Sequence, residues 1–266
     1  MSSDLYLRDT YINNFITHLF NSRIIEYDIS KANISILLNE NFISIEEYNN
    51  LYNLPKQQRA IKVGLMQKHN NDINIGLTNG FKKYRKLFFD NNNLNDNDIL
   101  SIKKDAIYVI DKRCNNLSFG NVNFTEKNIY NLYFNYDKYE FYYLLDTMLD
   151  FDKLDIKGIN DEKLKLHENG MLDFLKFIFG SILIDNVELT INFICNFMET
   201  YNNFQLSKEY YRQLDNNSLY VYKTNGFIEY SSMEYIDNLP LNISYNRNIL
   251  IHLLKILSSD FLYRIK

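Results

Sequence analysis

The run ILSIKKDAIYVI, residues 99–110, constrains the fold more tightly than any other stretch of the chain. Two apolar segments rich in β-branched and aromatic residues are separated only by Lys103, Lys104 and Asp105, which predicts an antiparallel hairpin. A bend this short usually carries Asn-Gly or Asp-Gly, residues that tolerate positive φ. Here an acid is followed at once by an apolar strand, and a carboxylate in that setting must be turn-exposed, paired or metal-bound. Asp105 is therefore a candidate site residue.

Periodicity places the neighbouring elements. Ile12, Phe15, Ile16, Leu19 and Phe20 recur at helical spacing and predict a helix over Arg8–Phe20. RIIEYDIS reads as a strand ending near Asp28, and KANISILLNE as a helix with Ser30 as its N-cap. SIEEYNNLYNL carries a capping box, Ser44 to Glu47. Pro55 opens the next helix, and a longer one is expected over Asp72–Phe89. Short strands follow at Val122–Thr125, Ile129–Asn135 and Leu154–Lys157. Beyond Asp161 the pattern is mainly helical, over 161–183, 185–203 and 207–214, with a hairpin near 219–230 and a terminal helix from Asn246. Strand-plus-helix material to residue 158 and helical material after it make an α+β chain.

Composition limits the function classes. With 46% hydrophobic residues in 266 the chain reads as globular. Its longest apolar runs, Met171–Ile184 and Asn248–Ile256, fall short of the roughly 20 residues of a membrane span, and MSSDLYLRD has no apolar signal core. No membrane partner is expected, and the cytoplasm, of a bacterial host if the gene is phage-borne, is the expected location. Cys114 and Cys195 lie far apart and the four histidines are scattered, so a reducing compartment and no structural zinc are expected. The bias toward Asn, Ile, Lys and Tyr fits AT-rich coding, as in a low-GC bacterium or its phage. The net charge is -4, yet Lys56 to Lys86 holds eight basic residues against Asp72 alone, a segment of +7 that leaves -11 elsewhere. Such a segment is either a solvated helical face or the footprint of a phosphate partner.

Asp28, at a strand end, and Asp105, in a hairpin, are separated by that basic segment. Two-metal nucleotidyl transfer uses such an arrangement, with carboxylates on adjacent strands holding Mg²⁺ or Mn²⁺ and cations meeting a triphosphate. YDISKANISIL, with Asp28 and Ser35, resembles the first palm motif of family B DNA polymerases. QRAIKVGLM resembles their fingers helix and KKDAIYV their palm hairpin, while EKNIYNLYF is similar to their primer-gripping strand and KLDIKGIN to the strand that ends the palm. The resemblance covers residues 20–215. It implies a palm with an antiparallel sheet over 1–158, short basic fingers over about 55–90, and a helical thumb over 159–266. It also implies Asp28 and Asp105 as metal-binding catalytic residues, Lys62, Arg59 and Asn33 as substrate-binding residues, and Lys127, Tyr130 and Lys157 on nucleic acid, where the basic segment adds Lys82, Lys83, Arg85 and Lys86. Primer–template DNA and a nucleotide triphosphate are the implied partners.

The chain also departs from that pattern. Lys103 stands where the family hairpin has its first aspartate, and Asn33 where it has the tyrosine under the nucleotide sugar. Met66 replaces the fingers asparagine, and the arginines after KGI are missing. Only 27 residues precede Asp28, so no exonuclease domain is expected and a partner protein would supply missing domains. Three readings stay open: a nucleotidyltransferase, an inactive polymerase-derived binding or scaffold protein, and an α+β interaction protein of other ancestry. The histidines are expected to be structural.

Overall fold

The computed structural model describes residues 4–136, 139–158, 173–184, 186–203, 205, 213–215, 218–223 and 226–229. The fold is α+β, with an antiparallel sheet and, among the described residues, six α-helices. The chain divides into two compact units, Met1–Ile16 with Ser22–Tyr130, and Thr17–Asn21 with Asn131–Lys266.

In the first unit the strand order is β1 (Thr10–Ile12), β3 (Ile99–Lys103), β4 (Ala106–Ile110), β2 (His18–Ile29) and the start of β6 (Val122–Tyr136), with the short β5 (Ser118–Phe119) paired to β6. Four helices, α1 (Ala32–Asn39), α2 (Ile45–Tyr52), α3 (Lys56–His69) and α4 (Asn71–Asn91), lie between β2 and β3 in sequence. Strand alternation sorts β2: Ile25, Tyr27 and Ile29 enter the helix-covered core, leaving Glu26 and Asp28 on the other face. Ile73, Leu77, Phe81, Tyr84 and Phe88 form the buried stripe of α4. Phe88 stacks on Phe124 of β6 with centroids 4.4 Å apart. A Cβ on Gly80 would lie 2.2 Å from Ile36 Cγ2, so α1 and α4 approach as closely as glycine permits.

The capping box of α2 forms as expected, with Glu47 N donating to Ser44 Oγ at 3.1 Å and Ser44 N donating to Glu47 Oε2 at 2.8 Å. Helix α1 begins at Ala32 with Lys31, in the left-handed region, at its N-cap rather than Ser30. The expected helix over residues 8–20 is replaced by β1, a turn and the start of β2. Asn13 makes that turn. Its backbone N–H donates to Leu100 O at 2.9 Å and its side chain accepts from Phe15 N at 3.1 Å, while Thr10–Ile12 pairs with Ser101–Lys103. Phe15, counted in the helical stripe, is 98% exposed. Sheet pairing outweighs an apolar spacing that two short extended segments satisfy equally well.

The second unit holds the end of β6, then β7 (Tyr139–Asp146) and β8 (Phe151–Lys157), all antiparallel. The expected strands at 122–125 and 129–135 are one continuous strand, and β7 falls where no strand was expected. Glu140, Phe141, Tyr142 and Tyr143 are all buried, so the segment lacks the in–out alternation that betrays a half-exposed strand. Helices α5 (Asp173–Leu183) and α6 (Val187–Asn202) follow, with Phe179 of α5 against Tyr143 at 5.7 Å and Phe177 against Phe193 of α6 at 4.2 Å. Strands β9 (Gln213–Asp215), β10 (Ser218–Lys223) and β11 (Gly226–Glu229) form a small sheet, which contains the hairpin expected near 219–230. The end of the helix expected at 207–214 is strand. Its start, the helix start at 161–172 and the terminal helix from Asn246 lie outside the described residues.

Candidate active site

The hairpin that carries Asp105 is built against the end of β2. Asp28 stands opposite Ala106 in the β2–β4 register, and Ile29 N donates to Asp105 O at 3.1 Å. The two carboxylate residues, 77 positions apart in sequence, thus meet at one end of the sheet. The two-residue bend places Lys104 at φ +55°, a position where a β-hairpin prefers glycine or asparagine. Surrounding contacts hold it there. Lys104 N donates to Asp9 O at 2.7 Å, and Lys104 O accepts from Arg85 Nη1 at 2.7 Å. Arg85 is fully buried and also donates to Tyr6 O and to Asp9 Oδ1. Burial pulls its pKa down, and the bond and charge of Asp9 oppose that. Arg85 is an anchor of the Asp105 turn and is removed from the basic surface of α4.

Burial, reinforced by the charge of Asp28, raises the Asp105 carboxyl above the usual carboxylate range. Asp28 meets a cation directly: Lys127 Nζ, from β6, lies 2.9 Å from its Oδ2. Lys127 also lies 3.6 Å from Oε1 of Glu26, a carboxylate with 2% exposure that accepts from Asn128 Nδ2 and Tyr130 Oη. Burial works against the Lys127 charge, but the bond to Asp28 and the charges of Asp28 and Glu26 prevail and raise its pKa.

In front of the carboxylates opens a cleft of about 450 Å³. Lys56 and Arg59 reach it from α3, one turn apart, Asn33 from the first turn of α1 and Lys31 from the β2–α1 turn. That turn is braced by Ser35 Oγ, which donates to Ser30 O at 3.2 Å, while Arg59 is steadied by the Leu54 carbonyl at 3.2 Å. Two acids and four bases, Lys31, Lys56, Arg59 and Lys127, therefore line one cleft with a cationic excess. Among the described residues no group of three or more His, Cys, Asp or Glu is placed to hold a metal ion, so a cation here would rest on the carboxylate pair.

Of the residues expected to act, Asp28, Asp105, Asn33, Arg59 and Lys127 line this cleft. Lys62 is exposed on α3 and does not line it; Lys56 stands in its place. On α4, Lys83 pairs with Glu40 at 2.7 Å and Lys86 with Asp90 at 2.5 Å, Arg85 is buried, and Lys82 is half-buried. Tyr130 is buried, with its hydroxyl on Glu26. Lys157, on β8, belongs to the second unit and stands opposite Glu140 in the β7–β8 register. Lys31 and Glu26 escaped the sequence reading, and Lys56 entered it only as part of the basic segment. Signals existed for all three: Lys56 precedes Arg59 by one helical turn, Glu26 shares the strand face of Asp28, and Lys31 follows Asp28 by three residues.

Fold and site together define an α+β protein in which two strand-end carboxylates open on a lysine- and arginine-lined cleft. Residues 1–259 match the family described as the bacteriophage PBS1 gene 130 protein, and the chain belongs to that family. Its phage character accords with the bias toward Asn, Ile, Lys and Tyr. Compared with curated proteins, the sequence matches none. Among the described residues no helix is long and apolar enough to cross a membrane.

Proposed function

We propose that the cleft is a polymerase-like nucleotidyl-transfer site acting on nucleic acid, with Asp28 and Asp105 as the residues that would hold Mg²⁺ or Mn²⁺. One observation carries this reading. Two carboxylates from distant parts of the chain converge at one end of a cleft whose α3 wall carries Lys56 and Arg59. The donor set suits a hard divalent cation, because two neighbouring carboxylates repel one another until a cation lies between them. Magnesium commonly takes only one or two carboxylates and fills its octahedron with water and phosphate oxygens. Two such metal ions, held by Asp28 and Asp105, would supply stabilisation of the attacking and the leaving oxygen of an in-line displacement at an α-phosphate.

The chain's own residues would do the remaining work. Lys56, Arg59 and Lys31 neutralise the triphosphate and so favour departure of pyrophosphate. Arg85 holds the Asp105 turn in place from behind. Asn33 offers no aromatic platform for the sugar, so deoxy- and ribonucleotides are poorly distinguished. Primer–template DNA is the proposed nucleic acid, with further polymerase functions left to a partner protein.

The rival reading, a non-catalytic binding or scaffold protein derived from such an enzyme, is favoured by the ion pair of Lys127 on Asp28 and by Lys103 in place of a carboxylate. Primer extension with all eight nucleotides separates the two. The enzyme reading expects weak, Mn²⁺-enhanced extension with mixed sugar use, lost in Asp28→Ala. No product above the Asp28→Ala background, from a preparation that does bind primer–template, would establish the rival.

A further inference from the structure

Lys127 touches two acids that differ in kind. Asp28 faces the cleft, whereas Glu26 is buried and fixed by Asn128 Nδ2 at 2.5 Å and Tyr130 Oη at 3.2 Å. Both lie on the same face of β2, two residues apart. The Lys127 side chain itself is 51% exposed and forms part of the cleft wall. It is thus a half-exposed cation held between a carboxylate that a ligand can reach and one that a ligand cannot. A divalent ion on Asp28 would compete with the ammonium for Oδ2 and would be repelled by it at close range.

We propose that Lys127 is the resident counter-cation of this site, which a divalent cation must displace from Asp28, with Glu26 as the anchor that retains the displaced ammonium beside the cleft. The inference deepens the nucleotidyl-transfer reading and rests on its assignment of Asp28 as a cation ligand. Lys127 is then a positioning residue that keeps the carboxylates compensated in the absence of metal and makes metal binding weak. Removing its charge should tighten metal binding even though it removes a contact to Asp28.

The test is Mn²⁺ binding to the full chain, read from the electron paramagnetic resonance of free Mn²⁺, for the wild type, Lys127→Met, Lys127→Gln, Lys127→Arg and Asp28→Asn. The neutral variants should bind Mn²⁺ about tenfold more tightly than wild type, the scale of removing one like charge from a partly exposed site. Lys127→Arg should stay near wild type, and Asp28→Asn should lose the site. Thermal melts identify which of the two neutral variants are folded. Equal or weaker binding in the neutral variants, with binding still lost in Asp28→Asn, would overturn the role of Lys127 and leave the metal site standing. Absence of Mn²⁺ binding in the wild type and in both neutral variants would overturn the metal site and this inference together.

Discussion

Asp105 is held in its turn at a cost. Burial and the neighbouring Asp28 raise its pKa above the ordinary value of 3.8, so the folded protein binds this proton more firmly than the unfolded chain does. Stability is then greatest, as far as this group is concerned, below the ordinary value, and is lost as pH rises through the raised one. Asp105→Asn should remove that loss. In chelator-containing buffer, urea midpoints of variant and wild type should converge near the acid end and separate with rising pH, the variant being the more stable. A gap independent of pH would mean that Asp105 ionises in the fold as it does in the open chain. At this scale the sequence was informative about Asp105 and less so about Asp28 and the bases. An acid inside an apolar hairpin, as Asp105 is, has few ordinary explanations, whereas an aspartate at a strand end, as Asp28 is, and a basic residue on a helix have many. Arg85 shows why: it lies on the buried side of α4 between Phe81 and Phe88, and only that apolar periodicity, not its charge, foretold its burial.

Helices α3 and α4 share the basic segment but not its availability. On α4, Glu40 and Asp90 already answer Lys83 and Lys86, and Arg85 is occupied by the Asp105 turn. On α3, Lys56 and Arg59 point into the cleft. If duplex or single-stranded nucleic acid binds here, affinity should fall with salt at roughly 0.9 log units per phosphate neutralised. Lys56→Ala with Arg59→Ala should flatten that dependence by more than Lys83→Ala with Lys86→Ala, as fluorescence anisotropy at several salt concentrations would show. The reverse order would place the interface on α4. Element boundaries were legible where local chemistry decided them, as at the Ser44 capping box and the Lys104–Asp105 bend. They failed where partners distant in sequence decided them: Thr10–Ile12 is a strand because β3 lies beside it, and Tyr139–Asp146 is a strand whose buried faces conceal its period.

For the molecule as a whole, the candidate site lies entirely within the first compact unit, which supplies the sheet end, both carboxylates, the α3 wall and Lys127. The chain is acidic overall, with a pI near 5.6, so attraction of a polyanion must come from the local cationic excess of the cleft rather than from net charge. In the nucleotidyl-transfer reading the carboxylate pair beneath that excess holds a metal ion. Thermal unfolding of the wild type and of Asp105→Asn, with and without Mn²⁺, measures this directly. A cation that binds only the folded state, at a hundredfold excess over its Kd, stabilises by about 2.7 kcal/mol, or a rise in Tm of roughly 5–10 °C for a chain of this size. The account predicts that rise in the wild type and its loss in Asp105→Asn; an equal rise in both proteins, or none in the wild type, would contradict it.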